Sequence, residues 1–315
     1  MGKNDTDLFF RTIFGSLLPI FAVAALNNEH LYSVTMPRYN ESSMCARKEF
    51  MLCECISNTI YNDEIFCLDF AWQGPAPKGG QFFLIKPERT SVFLGRPLSV
   101  AGWDAGAAGK PGILHFVIAL RGRGTMELSN MKPGEKAFLT GPLGKGWAEA
   151  LGEINAAKKL AFIGGGAGVA PLACYAKEPG NQNHDFYAGF RGPSFGLDGL
   201  LPLKESSPKE SSPSKEPARS IIIASEDGTE GKKGRIPDYF KPDSYDAVLC
   251  CGPEPMLKAV AEKCKAASVP CFVSLERRMA CGVGACLGCT VKTRDGNKRC
   301  CADGPVFNAE DIIFD

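Results

Sequence analysis

Short apolar runs separated by glycine and proline mark the part of the chain that follows residue 48. These runs occupy residues 65–68, 81–85 and 113–118. Runs of this length, bounded by turn-forming residues, are typical of strands rather than helices. The spacing therefore predicts a small antiparallel β-barrel over residues 48–150.

The pattern changes at residue 158, where apolar runs begin to alternate with helical stretches. The strand-like runs cover residues 160–163, 185–190, 220–224, 247–251 and 271–275. Helical patterns begin near Pro171 and cover residues 256–267. Because strands that alternate with helices build parallel sheets, we expect a parallel α/β domain over residues 151–270.

A low-complexity segment, residues 203–217, interrupts this second domain. The pentapeptide Lys-Glu-Ser-Ser-Pro occurs twice in it, at residues 204–208 and 209–213. Such a composition cannot bury enough apolar surface to order itself. We expect a disordered insertion on the surface.

Cysteines near the C-terminus follow the spacing C-x4-C-x2-C with a later partner. The first three are Cys281, Cys286 and Cys289, and Cys300 and Cys301 follow them. This is the plant-type [2Fe-2S] pattern, whereas zinc ligands more usually form two short knuckles. The intervening glycines allow backbone N–H groups to turn toward the sulfurs. The pattern predicts a domain over residues 271–315 that moves single electrons, and spacing leaves Cys300 and Cys301 as alternative fourth ligands.

Composition limits the partners and the compartment. The chain has 315 residues, with 36 Lys and Arg against 35 Asp and Glu. A balanced charge gives no reason to expect a nucleic-acid partner. The 14 cysteines, together with a thiolate-bound cluster, fit a reducing compartment, so we expect the cytoplasm.

The first 47 residues form an extension that we expect to lie outside the core. Residues 12–26 are apolar, but they contain Pro19 and fall short of the roughly 20 residues that span a bilayer. A membrane span is therefore not expected. The extension is either a signal or surface anchor, or a non-native stretch before a true start at Met36 or Met44. We favour the second interpretation, because secretion would conflict with the cluster.

Two motifs in the barrel region suit a flavin. Residues 96–99 read Arg-Pro-Leu-Ser, in which a guanidinium can clamp a pyrophosphate and a serine can bond to the isoalloxazine edge. Residues 121–125 read Arg-Gly-Arg-Gly-Thr, which permits close approach to phosphate. Arg-Gly turns are also common in solvated loops.

Two further motifs follow strands of the predicted parallel sheet. Residues 164–171 read Gly-Gly-Gly-Ala-Gly-Val-Ala-Pro, although their glycine spacing differs from the usual dinucleotide fingerprint. Residues 251–257 read Cys-Gly-Pro-Glu-Pro-Met-Leu. Both lie where an open α/β sheet binds ligands, at the carboxyl ends of its strands.

Taken in order, these motifs resemble the ferredoxin-reductase superfamily and, within it, the electron-transfer subunits of class 1B dihydroorotate dehydrogenases. The similarity covers about residues 48–315. The matching segments are residues 96–99, 141–144, 164–171, 226–228, 251–257, 274–276, 278–281 and 301–307. The last segment selects Cys301 over Cys300 as the fourth ligand.

The resemblance implies three cofactors, namely FAD, a [2Fe-2S] cluster and NAD(H). It assigns FAD to Arg96, Pro97, Leu98, Ser99, Val117, Ile118, Ala119, Gly124 and Thr125. It assigns the nicotinamide nucleotide to Gly165, Gly166, Ala167, Gly168, Val169, Cys251, Gly252 and Pro253. Cys251 and Glu276 become candidates for a catalytic role beside the nicotinamide. Leu98 lies where many relatives of the wider superfamily place an aromatic residue against the flavin.

The resemblance also implies a partner. Electrons would pass from an FMN-containing subunit that oxidises dihydroorotate, through the cluster and FAD, to NAD+, within a heterotetramer that serves pyrimidine biosynthesis. One alternative is the small subunit of an NAD(P)H:ferredoxin or sulfide-linked oxidoreductase, although those relatives tend to carry Asp where this chain has Cys281. Another is a non-catalytic redox carrier or sensor module.

Overall fold

The computed structural model describes residues 48–155, 158–181, 183–195 and 220–314. The extension over residues 1–47 and the insertion over residues 203–217 lie outside this part of the chain. Among the described helices, none is long and apolar enough to cross a membrane.

The first seven strands form one antiparallel sheet. They are β1 (Glu49–Asn62), β2 (Ile65–Trp72), β3 (Phe82–Pro87), β4 (Arg96–Ser99), β5 (Gly102–Asp104), β6 (Gly112–Ala119) and β7 (Lys136–Leu143). Their order is β4-β3-β7-β1-β2-β6-β5, and β4 also contacts β6. The sheet therefore curls back on itself, with the short helix α1 (Arg123–Ser129) against β3. The expectation of an antiparallel barrel is confirmed.

The barrel core follows from the alternation of side chains along its strands. In β2, Phe66, Phe70 and Trp72 point inward, whereas Asp69 lies on the opposite, half-exposed face. The Trp72 and Phe83 rings meet edge to face, with centroids 5.0 Å apart. Burying each such side chain contributes roughly 2–3 kcal/mol, so the barrel has its own core.

The second sheet follows α2 (Trp147–Leu151) and is mostly parallel. Its strands are β8 (Leu160–Gly165), β9 (His184–Phe190), β10 (Ile221–Ser225), β11 (Lys232–Lys233), β12 (Ala247–Cys251), β13 (Cys271–Ser274) and β16 (Val306–Asn308). The order is β11-β10-β9-β8-β12-β13-β16, with α3 (Val169–Ala176) and α4 (Glu254–Ala266) packed on it. Strand order reverses between β8 and β12, which is where such sheets bind ligands.

The C-terminal segment adds a hairpin and closes the second sheet. Its hairpin strands are β14 (Thr290–Thr293) and β15 (Gly296–Arg299). β16 pairs antiparallel with β13, which itself pairs parallel with β12. The proposed boundary after residue 270 therefore cuts through a sheet, because pairing between distant segments leaves no local mark in the sequence. The division into domains otherwise stays a prediction.

Short 3-10 helices complete the described elements. They are Gly152–Asn155, Gly166–Gly168, Ile236–Tyr239, Pro242–Ser244 and Ala309–Asp311.

One apolar cluster joins the barrel to the second sheet. Ala101 and Val117 from the barrel share this cluster with Phe162 of β8 and Val169 of α3. Because these side chains are buried together, the two sheets pack at a fixed position relative to each other.

Candidate functional site

Arg96 begins β4 and extends toward the start of α1. Its Nη2 donates to the carbonyl oxygen of Leu94 at 2.7 Å. Its Nε is buried and has no hydrogen-bond partner among the described residues. A Cβ placed on Gly124 would lie 2.8 Å from Cδ of Arg96, so glycine makes room for the guanidinium. A buried donor without an acceptor fits a pyrophosphate at this position.

The other residues assigned to FAD differ in what their side chains can reach. Ile118 points into the barrel core, while Val117 lies in the apolar cluster between the sheets. The Thr125 hydroxyl accepts hydrogen bonds from the N–H groups of Arg121 and Gly122 and donates to the carbonyl oxygen of Gly122. Thr125 therefore orders its own turn.

Four more of these residues lie on β4 and at the end of β6. Pro97, Leu98 and Ser99 pair with β3, and all three are half-buried, as is Ala119 at the end of β6. Leu98 packs against the barrel core. These positions leave β4 and the end of β6 partly open beside Arg96.

The nucleotide motifs meet backbone to backbone at the switch between β8 and β12. A Cβ on Gly168 would lie 2.3 Å from the carbonyl oxygen of Cys251 and 2.8 Å from Cα of Gly252. A Cβ on Gly165 would lie 2.9 Å from Cδ of Pro253. The structure thus brings the two motifs together, and only glycine permits this approach.

The same glycine turn lies against the barrel. Gly166–Gly168 contacts β6, and α3 contacts β5. Ala167 belongs to this turn, and Val169 is the first residue of α3. The strand assigned to the flavin and the turn assigned to the nucleotide are therefore neighbours.

Cys251, Ser274 and Glu276 form a small group beside these turns. Cys251 and Ser274 are register partners on β12 and β13. Burial raises the pKa of the Cys251 thiol, the nearby Glu276 raises it further, and a hydrogen bond with Ser274 opposes the rise. Surrounding protein raises the pKa of the Glu276 carboxyl, while Arg121 from the barrel opposes this shift. The Glu276 side chain remains accessible to solvent.

The cluster loop, residues 281–289, directs backbone N–H groups at its thiols. Cys286 N–H donates to Sγ of Cys281 at 3.4 Å, and Gly284 N–H donates to Sγ of Cys301 at 3.1 Å. Partial burial opposes ionisation of Cys281, but hydrogen bonds from Val283, Cys286 and Ala285 outweigh it and lower its pKa to about 7. A thiol that ionises near neutral pH suits a metal ligand.

The four predicted ligands fall into two linked pairs. The N–H of Cys286 donates to Sγ of Cys281 within the loop, and the N–H of Cys301 donates to Sγ of Cys289 at 3.4 Å. Among the described residues, no three Cys, His, Asp or Glu side chains form a group that could hold a single metal ion. Two pairs of thiols fit a binuclear cluster, in which each iron takes two thiolates.

Cys300, the alternative ligand, has a different contact. Its Sγ donates to the carbonyl oxygen of Leu275 at 3.1 Å, and burial raises the pKa of this thiol to about 12. Of the two adjacent cysteines, Cys301 is thus the one whose Sγ accepts a hydrogen bond from the cluster loop.

The cluster loop also packs against the barrel. A Cβ on Gly282 would lie 2.7 Å from Leu84 and 2.9 Å from Leu143, residues of β3 and β7. Gly282 has φ 68°, which favours glycine. The sequence motif identified this glycine as part of the loop, but its barrel partners lie about 140 or more residues earlier and left no local signal.

The curled antiparallel sheet, the α/β sheet and the four-cysteine segment define a ferredoxin-reductase-like protein with an added iron–sulfur segment. Residues 276–313 match the family described as the iron-sulfur cluster binding domain of dihydroorotate dehydrogenase B.

Similar proteins of known name extend this match over most of the chain. The chain is 40% identical over 235 residues to the dihydroorotate dehydrogenase B (NAD(+)) electron transfer subunit of Clostridium acetobutylicum, covering 75% of this chain and 86% of that one. It is 37% identical over 270 residues to the corresponding subunit of Caldanaerobacter subterraneus, covering 84% and 98%. The chain therefore belongs to the family of dihydroorotate dehydrogenase B electron transfer subunits.

Solved structures agree with this fold. An NADH-dependent reduced ferredoxin-NADP oxidoreductase matches with a TM-score of 0.65 and 27% identity, over 83% of this chain and 90% of that one. A ferredoxin NADP+ reductase from Neisseria gonorrhoeae with bound FAD and NADP shares the fold, with a TM-score of 0.53 and 17% identity, over 69% and 91%.

Proposed function

We propose that this chain carries electrons between an FMN-containing dihydroorotate dehydrogenase subunit and NAD+, through a [2Fe-2S] cluster and FAD, in pyrimidine biosynthesis. The overall reaction would convert dihydroorotate and NAD+ to orotate, NADH and a proton. The proposal rests on three segments that lie side by side. They are β6 of the barrel, the Gly166–Gly168 turn, and the end of β13 beside Cys251.

The chain's own residues would hold these groups in order. The guanidinium of Arg96 would bind the FAD pyrophosphate through its unpartnered Nε, with Gly124 leaving space for it. Gly165 to Val169 and Cys251 to Pro253 would hold the nicotinamide nucleotide. When bound, FAD converts between the electron pair of a hydride and the single electrons of the cluster.

Residues beside the nicotinamide and the iron complete the assignment. Cys251 and Glu276 are the candidates for contact with the nicotinamide ring, and the positive charge of Arg121 would favour the ionised carboxylate of Glu276. Cys281, Cys286, Cys289 and Cys301 would hold the cluster. In this reaction the chain would need no general acid or base of its own.

The partner would be the subunit that oxidises dihydroorotate, assembled with this chain as a heterotetramer in the cytoplasm. The similar proteins support a catalytic partner subunit, because they are named as electron transfer subunits of a dehydrogenase.

Co-expression with a candidate FMN subunit tests the proposal. The two chains should purify together and reduce NAD+ when dihydroorotate is added, whereas either chain alone should not. A chain that reduces its flavin with NADH but never couples to dihydroorotate oxidation would contradict the proposed partner.

A second candidate is the small subunit of an NAD(P)H:ferredoxin oxidoreductase. The TM-score of 0.65 to an NADH-dependent reduced ferredoxin-NADP oxidoreductase favours it. Reduction of ferredoxin in the same assay, without any response to dihydroorotate, would select this candidate.

A further inference from the structure

Cys300 is a buried thiol that the proposed relay leaves without a role. Its exposed fraction is 0%. Its Sγ donates to the carbonyl oxygen of Leu275 at 3.1 Å, and its N–H donates to the carbonyl oxygen of Cys289 at 3.0 Å. Cys300 therefore contacts the end of β13 with its side chain and a predicted cluster ligand with its backbone.

Leu275 connects Cys300 to the nicotinamide side of the molecule. It lies between Ser274, the register partner of Cys251, and Glu276. The N–H of Leu275 donates to the carbonyl oxygen of Pro305 at 3.0 Å, which fixes the strand end against the C-terminal segment. A single side-chain hydrogen bond thus links Leu275, the residue before Glu276, to Cys300, the residue before Cys301.

We propose that Cys300 is a positioning residue that ties the cluster ligands Cys289 and Cys301 to the end of β13, and so provides a direct bonded route between the cluster and the flavin–nicotinamide site. This inference rests on the proposed function. Electron transfer falls steeply with separation and with gaps that no bond bridges, so a fixed hydrogen bond here would sustain the rate.

No bond forms or breaks at Cys300 in this role. One electron leaves the reduced flavin and one enters the oxidised cluster, or the reverse, while the Cys300 thiol keeps its proton. The contact also argues against a ligand role for Cys300, because its Sγ donates to Leu275, just after β13, while Sγ of Cys301 accepts a hydrogen bond from the cluster loop.

Substitution of Cys300 in the full-length chain, reconstituted anaerobically with FAD and iron, tests the proposal. Cys300→Ala removes the donor, and Cys300→Ser keeps a donor in a smaller side chain. Cys55→Ala is a matched control, because Cys55 is equally buried and its Sγ donates to the carbonyl oxygen of Ser57 within the barrel. Iron content, the electron paramagnetic resonance spectrum and the midpoint potential of the cluster are measured for each variant.

The decisive readout is the rate at which the cluster is reduced after NADH has reduced the flavin, followed by rapid mixing. We expect Cys300→Ala to slow this step severalfold, because the route from Cys300 to Leu275 would then cross a gap that no hydrogen bond bridges. Flavin reduction, iron content and potential should stay unchanged, Cys300→Ser should recover most of the rate, and Cys55→Ala should match the parent chain.

Hydrogen exchange of the apo-protein supplies a readout that needs no cofactor. Amides 274–277 should exchange faster in Cys300→Ala and at the parent rate in Cys300→Ser. Loss of iron from both Cys300 variants would make Cys300 a ligand and overturn the proposal, as would an unchanged cluster-reduction rate in Cys300→Ala. If the parent chain itself never reduces its cluster with NADH, the proposed function fails instead.

Discussion

The nucleotide turn, residues 164–169, and the cluster loop, residues 281–289, are both rich in glycine, and they differ in what surrounds the glycines. In the turn, Gly165 and Gly168 press against the chain after β12, at distances that exclude a side chain. In the loop, Gly284 has φ 84°, and its N–H points at a cysteine sulfur. Leu287, also in the left-handed region at φ 59°, is 62% exposed.

This difference indicates how each site acquires its shape. Close packing against Cys251, Gly252 and Pro253 shapes the nucleotide turn. The loop instead gathers donors around thiols, and leaves a large apolar side chain in solvent. The barrel and nucleotide sites should therefore survive loss of the cluster, and the cluster should survive damage to the nucleotide turn.

The largest expected effect comes from removing a cluster ligand. Cys289→Ser should reduce iron from about two per chain to near zero, because a [2Fe-2S] cluster needs four ligands. FAD content and flavin reduction by NADH should persist, as measured by visible absorption. Loss of FAD together with iron, under conditions where the parent chain holds both, would show that the FAD site depends on the cluster and would contradict this comparison.

A side chain in the nucleotide turn gives the reciprocal test. Gly168→Val places a Cβ 2.3 Å from the Cys251 carbonyl oxygen, so the two strand ends must separate. A misplacement of ~1 Å can cost about 100-fold in rate, and we expect a loss of that order in flavin reduction by NADH, measured by rapid mixing. The iron content should match the parent chain; a variant that reduces its flavin at the parent rate would show that the turn does not hold the nucleotide.

Arg96 tests the barrel site alone. Arg96→Ala should weaken FAD binding by about 10- to 100-fold, since a hydrogen bond to a charged group contributes roughly 1.5–3 kcal/mol. Arg96→Lys should recover only part of the affinity, because lysine lacks the planar fork of donors. Fluorescence titration of the apo-protein with FAD measures both; equal affinity in all three proteins would exclude Arg96 from the site.

The smallest expected effect concerns the stability of the barrel. His115 Nδ1 lies 2.7 Å from Asp69, and its Nε2 lies 3.0 Å from Asp104 on β5. The hydrogen bond with Asp69 raises the pKa of His115 against the opposing effect of burial, and the charge of Asp69 and contacts with Asp104 raise it further. The folded state therefore favours the protonated imidazole.

This shift fixes the sign of the pH dependence. The contribution is complete below the unfolded pKa near 6.5 and disappears as pH rises through the higher folded value. His115→Gln should lower the free energy of unfolding by ~1 kcal/mol at pH 6, and by less at pH 9. Denaturant unfolding at both pH values measures the difference; a gap that widens with pH would reverse the assigned sign.

Much of the second sheet could be predicted from local pattern, because its buried strands are continuous apolar runs. Residues 247–251 coincide with β12, and the helix expected over residues 256–267 is α4 (Glu254–Ala266). The helix begins earlier because Pro255 fits the first turn, where a proline needs no hydrogen-bond donor. Segments with weaker periodicity, such as the 14-residue β1, were predicted only as part of a barrel.

Contacts between distant segments could not be predicted in the same way. Glu276 was a candidate from its position after β13, but its proximity to Arg121 depends on how the barrel packs on the sheet. The pairing of β16 with β13 and the contact of Cys300 with Leu275 likewise join segments more than 20 residues apart. Motifs therefore identified the residue types of the site, and packing determined which of them meet.

Anaerobic titration of the reconstituted full-length chain with NADH shows directly whether electrons pass from NADH through the flavin to the cluster, with visible absorption and electron paramagnetic resonance recorded on the same samples. We expect the flavin absorbance to bleach and the signal of a one-electron-reduced [2Fe-2S] cluster to appear. A flavin that is reduced while the cluster stays oxidised, or a chain that binds neither group, would contradict it.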